Sequence, residues 1–274
     1  MLHPITGIPF PTKPTLARPK AFRWVYALVV VLVVGWGIFL YTFSRSYNNV
    51  WQAVYHNGGI PDGYDIRGID VSHYQGTINW ERVSRAGIHD APLSFVIIKA
   101  TEGEQLMDHQ FRRNFHEAQR YGLLRGAYHY FSPSVSATKQ AAHYTDSVPL
   151  EQGDLPPVLD IEEAGNLSAE EVRDAALTWL LLIEDHYDAV PILYTNLRFK
   201  QRYLSGEEFQ RYPFWIAHYY VPELTYDGQW KFWQHTDRGR VPGIQTFVDL
   251  NVYNGSMYDL QQLCIRPHEE TAGG

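Results

Sequence analysis

Hydrophobic positions fall into two regimes along the chain. Residues 24–43 form one uncharged run, with Val29-Val30-Val31-Leu32-Val33-Val34 at its centre. From Ile66 onward, short apolar runs rich in β-formers alternate with amphipathic stretches. The runs 66–72, 95–101, 125–131, 157–162 and 190–196 read as strands, and long connections such as 108–121 and 168–187 read as helices. Ser168-Ala169-Glu170-Glu171 has the form of a helix start, a Ser cap followed by early acids. Repeated strand–helix units predict a parallel sheet with helices outside it. After Tyr194 the helical stretches shrink, and 214–219, 231–236 and 247–253 read as strands joined mainly by loops. Eight strands with fading helices predict an α/β barrel with an irregular last third.

About 20 uncharged residues suffice to cross a bilayer as a helix. Trp24, Tyr26, Trp36 and Tyr41 fall mostly toward the ends of the run, where interfacial aromatics collect. Four basic residues precede it and Arg45 follows, which predicts a cytoplasmic N-terminus and an extracytoplasmic remainder, in the periplasm or at the cell surface. A cleaved signal peptide would need a small-x-small site, and Tyr41-Thr42-Phe43-Ser44-Arg45-Ser46 offers no clear one. A buried soluble helix would show a polar face, which the run lacks. The expected organisation is a Pro-rich basic tail (1–23), a transmembrane anchor (24–43), a linker (44–64), one barrel (65–265) and a short tail (266–274).

Charge sharpens this division. The 274 residues carry a formal charge of −7. Residues 1–46 hold Lys13, Arg18, Lys20, Arg23 and Arg45 and no acid, so five positive charges leave −12 for the remainder. An acidic globular part argues against nucleic acid as a partner. The single cysteine, Cys264, permits no intrachain disulfide.

Candidate chemistry sits where strands end, the functional side of a barrel. In Leu155-Pro156-Pro157-Val158-Leu159-Asp160-Ile161-Glu162 an apolar run closes on two acids at i and i+2. On one strand face these lie about 6–7 Å apart. Like charges that close do not both ionise cheaply, so one pKa rises, giving a proton donor beside an anion. Burial and the neighbouring anion are expected to raise Glu162. Asp70, Glu102 and Asp249 also lie at or in strands. The 12 histidines include no His-Glu-x-x-His or His-x-His spacing, so no metal site or cofactor is expected. His73, His129, His218 and His235 read as hydrogen-bonded wall residues. No phosphate-cradling Gly loop or Gly-x-Ser-x-Gly elbow is present.

Eight segments in order resemble glycoside hydrolase family 25, the lysozymes acting as N-acetylmuramidases. They run from Gly68-Ile69-Asp70-Val71-Ser72-His73-Tyr74-Gln75-Gly76, with Ile78-Asn79-Trp80, through Phe95-Val96-Ile97-Ile98-Lys99-Ala100-Thr101-Glu102-Gly103 and Gly126-Ala127-Tyr128-His129-Tyr130-Phe131. Leu159-Asp160-Ile161-Glu162, Leu193-Tyr194-Thr195-Asn196, Trp215-Ile216-Ala217-His218-Tyr219, Trp233-Gln234-His235 and Val248-Asp249-Leu250-Asn251 complete the set. The resemblance implies a (β/α)5(β)3 barrel that cleaves the β-1,4 bond between N-acetylmuramic acid and N-acetylglucosamine in peptidoglycan. It implies Glu162 as general acid, and Asp160 as stabiliser of an intermediate formed by the substrate's own 2-acetamido group. Asp70 and Asp249 match the other cleft acids, and Tyr128, Tyr194, Trp215, Gln234 and Glu102 positions lining the groove. His235 departs from the aromatic that many relatives place after Trp-Gln, and no cell-wall-binding repeats follow. The catalytic domain is expected to be monomeric.

Two other readings remain at this stage. A chitinase-like barrel also ends a strand in Asp-x-Glu, but its motif places more acids ahead of the pair, where this chain has Pro156-Pro157-Val158-Leu159. A membrane-tethered glycan-binding module without catalysis would not need Asp70, Asp160, Glu162 and Asp249 together.

Overall fold

Eight of the apolar runs become the staves of a closed barrel. The computed structural model describes residues 28–41, 61–88, 91–226 and 228–266. The staves are β1 (Ile66–Val71), β3 (Ala91–Glu102), β5 (Leu124–Tyr130), β6 (Val158–Asp160), β7 (Ile192–Asn196), β8 (Phe214–Ala217), β9 (Phe232–Gly239) and β10 (Val248–Tyr253). Neighbours run β1-β10-β9-β8-β7-β6-β5-β3, and β3 pairs β1 to close the ring. The pairings from β1 and β3 round to β9 are parallel, while β10 is antiparallel to both β9 and β1.

Helices follow the first five staves: α2 (Trp80–Ser84), α3 (Phe111–Arg120), α4 (Ala137–Ser147), α5 (Ala169–Tyr187) and α6 (Leu197–Tyr203). Loops join β8, β9 and β10, and α7 (Met257–Leu263) follows the last. This is the expected fading of helices in the final third. The expected Ser168 cap is a full capping box: Glu171 N–H donates to Ser168 Oγ at 3.2 Å, and Ser168 N–H to Glu171 Oε2 at 2.7 Å. Two short strands went unforeseen, β2 (Gly87–Ile88) and β4 (Leu106–Met107), each pairing antiparallel with β3. Two residues are too few to show a period.

Strand alternation sorts the core into two layers. In β3, Val96 and Ile98 face the helices, while Phe95 and Ile97 join Val158, Ile192, Phe232 and Tyr253 inside the barrel. Phe95 lies against Gly68 of β1, where a Cβ would collide with its ring. Along this inner face the chemistry changes with height. Phe95–Ile97 is succeeded by Lys99, Val158 by Asp160, Ile192 by Tyr194 and Phe232 by Gln234. The antiparallel β10 reads the same series backwards, so Asp249 at its start reaches the rim where the other staves end.

The N-terminal segment forms a separate unit, Met1–Asn48. In it residues 28–41 form a helix, α1, whose apolar side chains are exposed. Among the described residues no helix is long and apolar enough to cross a membrane. The rest of the 24–43 run, the basic tail and most of the linker lie outside the described residues.

Candidate active site

The polar upper layer of the barrel lines a cleft of about 220 Å³, walled by Asp70, Tyr74, Lys99, Tyr128, Tyr130, Asp160, Glu162, Tyr194, Trp215, Tyr219, Gln234 and Asp249. A larger hollow of about 890 Å³, among α2, the start of β3 and Arg240–Pro242, has no acid in its wall.

One hydrogen-bonded network holds the floor. Gln234 Nε2 and Asn251 Nδ2 donate to the same oxygen of Asp70, Oδ2, at 2.8 and 2.7 Å. Two phenols fix the Gln234 amide, since Tyr194 and Tyr219 both donate to its Oε1, at 2.8 and 2.7 Å. Trp215 Nε1 fixes Asn251 by donating to its Oδ1 at 2.8 Å. Tyr219 is aimed by the turn after β8, where His218 and Tyr220 donate their backbone N–H to Gln234 and His235 carbonyls. Tyr220 adopts φ 59°, a left-handed conformation uncommon for a bulky residue and a mark of local strain.

Asp70 and Asp249 face each other across β1 and β10. Burial and the Asp70 charge push Asp249 up to about 9, so Asp249 keeps its proton and donates it to Asp70. Burial also raises Asp70, against which Asn251, Gln234 and Asp249 act as donors to its anion.

Asp160 ends β6; Glu162 lies just beyond the strand, which was expected to include it. The backbone still tracks β7 there, with Ile161 N–H donating to the Tyr194 carbonyl at 3.1 Å, and both acids line the cleft. Burial, then the charges of Glu162 and Asp70, hold the Asp160 carboxyl well above its usual range, and Lys99 opposes them. Burial also raises Glu162, but a hydrogen bond from Asn196 draws it back. Burial thus raises Glu162 as expected, and it raises Asp160 as well. Asp160 Oδ1 is buried and has no hydrogen-bond partner.

Of the residues expected to line the groove, Tyr128, Tyr194, Trp215 and Gln234 do so. Trp215 and Gln234 spend polar atoms on the floor network and act there as positioning groups. Glu102 departs from expectation. It is not among the lining side chains, and its Oε2 takes the ammonium of Lys99 at 2.6 Å. Lys99 itself is buried, 4.9 Å above the Tyr130 ring. It was missed, although counting every second residue from Phe95 through Ile97 reaches it. Tyr74, Tyr130 and Tyr219 were also missed, each at or just past a strand end. Asn196 and Asn251 carry no charge to draw notice. His129 is a wall residue as expected, between Thr101 Oγ1 at 2.8 Å and Gln140 Oε1 at 3.0 Å.

The arrangement supplies four raised carboxyls, among them the buried Asp160 beside the less buried Glu162, with one cation and an aromatic wall. It suits proton donation to a polar leaving atom beside a developing positive charge.

The profile of glycosyl hydrolases family 25 matches residues 69–244. The uncharacterized protein YegX of Escherichia coli K12 is 49% identical over 203 residues, covering 74% of each chain. Lysozyme M1 of Streptomyces globisporus is 35% identical over 217 residues, 72% of this chain and 71% of its own. The crystal structure of the bacterial lysozyme from Streptomyces coelicolor superposes with a TM-score of 0.68 at 35% identity, covering 74% of this chain and 98% of that one. Asp70, Asp160 and Glu162 thus lie inside the matched span, on a barrel shared with a solved lysozyme, and the chain belongs to glycosyl hydrolase family 25.

Proposed function

We propose that this protein is a muramidase that hydrolyses the β-1,4 bond between N-acetylmuramic acid and N-acetylglucosamine in peptidoglycan strands. The observation that carries the reading is the buried, unpartnered Asp160 Oδ1 beside the less buried Glu162 in one cleft. Two such acids titrate as a pair, and burial favours a single proton between them. A 2-acetamido N–H donating to Asp160 Oδ1 stabilises its anion and leaves the proton to Glu162. Glu162 then gives it to the glycosidic oxygen as the C1–O bond breaks. The acetamido carbonyl oxygen bonds C1, and the Asp160 anion balances the charge that forms. A water giving its proton to Glu162 carboxylate attacks C1 and restores the acetamido group, with net retention. Asp70 and Asp249 hold the floor rigid, and the aromatic wall receives the sugar rings.

Muropeptide analysis on purified peptidoglycan tests this, with chitin oligomers as the competing substrate. Wild-type protein should release reducing N-acetylmuramic acid ends, and Glu162→Gln should lose about 10²–10⁴-fold in rate with an unchanged melting temperature. Wild-type turnover by that variant removes Glu162 from the role, and preferential chitin cleavage favours the chitinase-like reading.

The same proposal places the barrel outside the membrane, tethered by residues 24–43 with the N-terminus in the cytoplasm. The uncharged run, its basic N-terminal flank and the exposed apolar side chains of α1 support this. The tethered protein should sediment with membranes and resist carbonate extraction; recovery of the intact chain in the soluble fraction defeats the anchor.

A further inference from the structure

Three residues outside the cleft floor converge although the sequence separates them. His73 opens the 3-10 turn His73–Gln75 after β1, and Asp108 and His109 lie between β4 and α3. Their ligand atoms, one from each residue, all lie within 4.8 Å of one another, the one such group among the described residues. No spacing rule finds it, because its members come from two loops.

The Asp108 carboxylate is fixed from several sides. Its side chain is 1% exposed. Oδ2 accepts the His73 backbone N–H at 2.8 Å, and Oδ1 the Gln110 N–H at 2.9 Å. The same Oδ2 stands 2.7 Å from His73 Nδ1. With that ring nitrogen donating its proton to Asp108, the Nε2 lone pair of His73 points away from the carboxylate. A carboxylate behind an imidazole is how proteins orient histidines that hold metals, fixing the tautomer and raising ligand basicity. The His109 ring lies 5.3 Å from that of His73.

We propose that His73 and His109, with Asp108 behind His73, bind one divalent transition-metal ion of the zinc class. Imidazole nitrogen favours Zn²⁺, Cu²⁺ or Ni²⁺ over Mg²⁺ or Ca²⁺, which take oxygen. Metal–nitrogen bonds of about 2.0–2.1 Å require the ring nitrogens to draw together somewhat, which the exposed side chain of His109 is free to do. Water completes the shell, as at an open zinc site. The ion has a route to the cleft through Tyr74. That ring lies against His73, centroids 4.2 Å apart and planes tilted by 35°, is 75% exposed and lines the cleft wall. An ion on His73 would steady the turn that carries it.

Ion binding does not depend on the proposed reaction, so the test reads the metal directly. The full chain in detergent is titrated calorimetrically with ZnCl2 and with MgCl2, beside His109→Ala and His109→Gln. His109 is exposed, and equal metal-free melting temperatures show that the variants fold. The parent should show a saturable zinc site without a magnesium counterpart and should melt higher with zinc. Both variants should lose at least about tenfold in that zinc affinity and lose the melting shift. Zinc isotherms that are equal in parent and variants, or no saturable zinc heat in the parent, overturn the proposal.

Discussion

Asn196 holds Glu162 with one end of its amide and the first turn of α6 with the other. Its Oδ1 accepts the Phe199 N–H at 2.9 Å, capping the helix, and its amide group donates to the Glu162 carboxylate, drawing that pKa down. The acid after β6 is thereby tied to the start of α6. The residue that does this is neutral, and its capping role alone would have explained its presence.

Asn196→Asp separates the two roles. Asp caps a helix as well as Asn does, so α6 should persist. The donor to Glu162 is lost and a negative charge stands in its place, so the Glu162 pKa rises. A general acid works while protonated and fails as pH passes its pKa. The alkaline limb of kcat, which reports the substrate-bound enzyme, should therefore move to higher pH, with little change in melting temperature. A limb that stays put or moves down would show that Glu162 is not the group titrating there.

Asp249 makes the opposite kind of prediction, one of stability. Its carboxyl is raised to about 9 in the fold, from an ordinary unfolded value near 4. The folded state therefore binds this proton more tightly than the unfolded chain. The stabilisation is fully present below the unfolded pKa and is lost as pH rises through the folded one. Asn at 249 keeps a donor toward Asp70 and has no proton to lose. Asp249→Asn should raise the melting temperature, with the gain growing from about pH 4 to about pH 9. A difference from wild type that is flat in pH would mean that Asp249 is not held protonated.

The staves were legible because each is a short apolar run rich in β-formers, and eight such runs leave few ways to close a sheet. Their ends were less so. β3 begins at Ala91 rather than Phe95, and β9 runs on to Gly239, because backbone pairing continues where hydrophobicity does not. The strand-end acids Asp70, Asp160, Glu162 and Asp249 meet in one cleft, since parallel staves and one reversed neighbour bring those ends to a common rim. What the sequence left hidden is how the acids are partnered. Glu102 has the same strand-end position as the others, yet Lys99 engages it, and Gln234 and Asn251 matter through bonds to Asp70 that no local pattern announces.

The opposite, amino-terminal end of the barrel depends on another pairing with a measurable cost. Arg125, at the start of β5, clasps Asp154 through Nε–Oδ1 at 2.7 Å and Nη2–Oδ2 at 3.0 Å, with both side chains 6% exposed. Its remaining nitrogen reaches the Phe115 carbonyl of α3 at 3.1 Å. Asp154→Ala leaves this guanidinium buried without its principal counter-ion and should cost about 3–5 kcal/mol in urea unfolding. A loss under about 1 kcal/mol, the range of surface pairs, would show that the half-exposed surroundings, Glu151 included, already satisfy Arg125.

Lys99 bears on the proposed reaction through Asp160. It opposes the burial and the acidic neighbours that hold Asp160 protonated. The groups around that carboxyl are Asp70 of β1, Lys99 and Glu102 of β3, Tyr128 and Tyr130 of β5, Glu162 after β6 and Tyr194 of β7. Lys99 is the one cation among them. Lys99→Met keeps the length of the buried stem and removes the charge, so the Asp160 pKa rises further. The proposed reaction needs Asp160 ionised once substrate is bound, and activity then appears as pH rises through its pKa. The acid limb of the kcat profile should accordingly move to higher pH, while the alkaline limb set by Glu162 moves less. Glu102, half-exposed, can turn to water when its partner is gone, so the fold should survive. An acid limb that moves downward, or two limbs that shift equally, would sever Lys99 from Asp160 and return it to a purely structural pairing with Glu102.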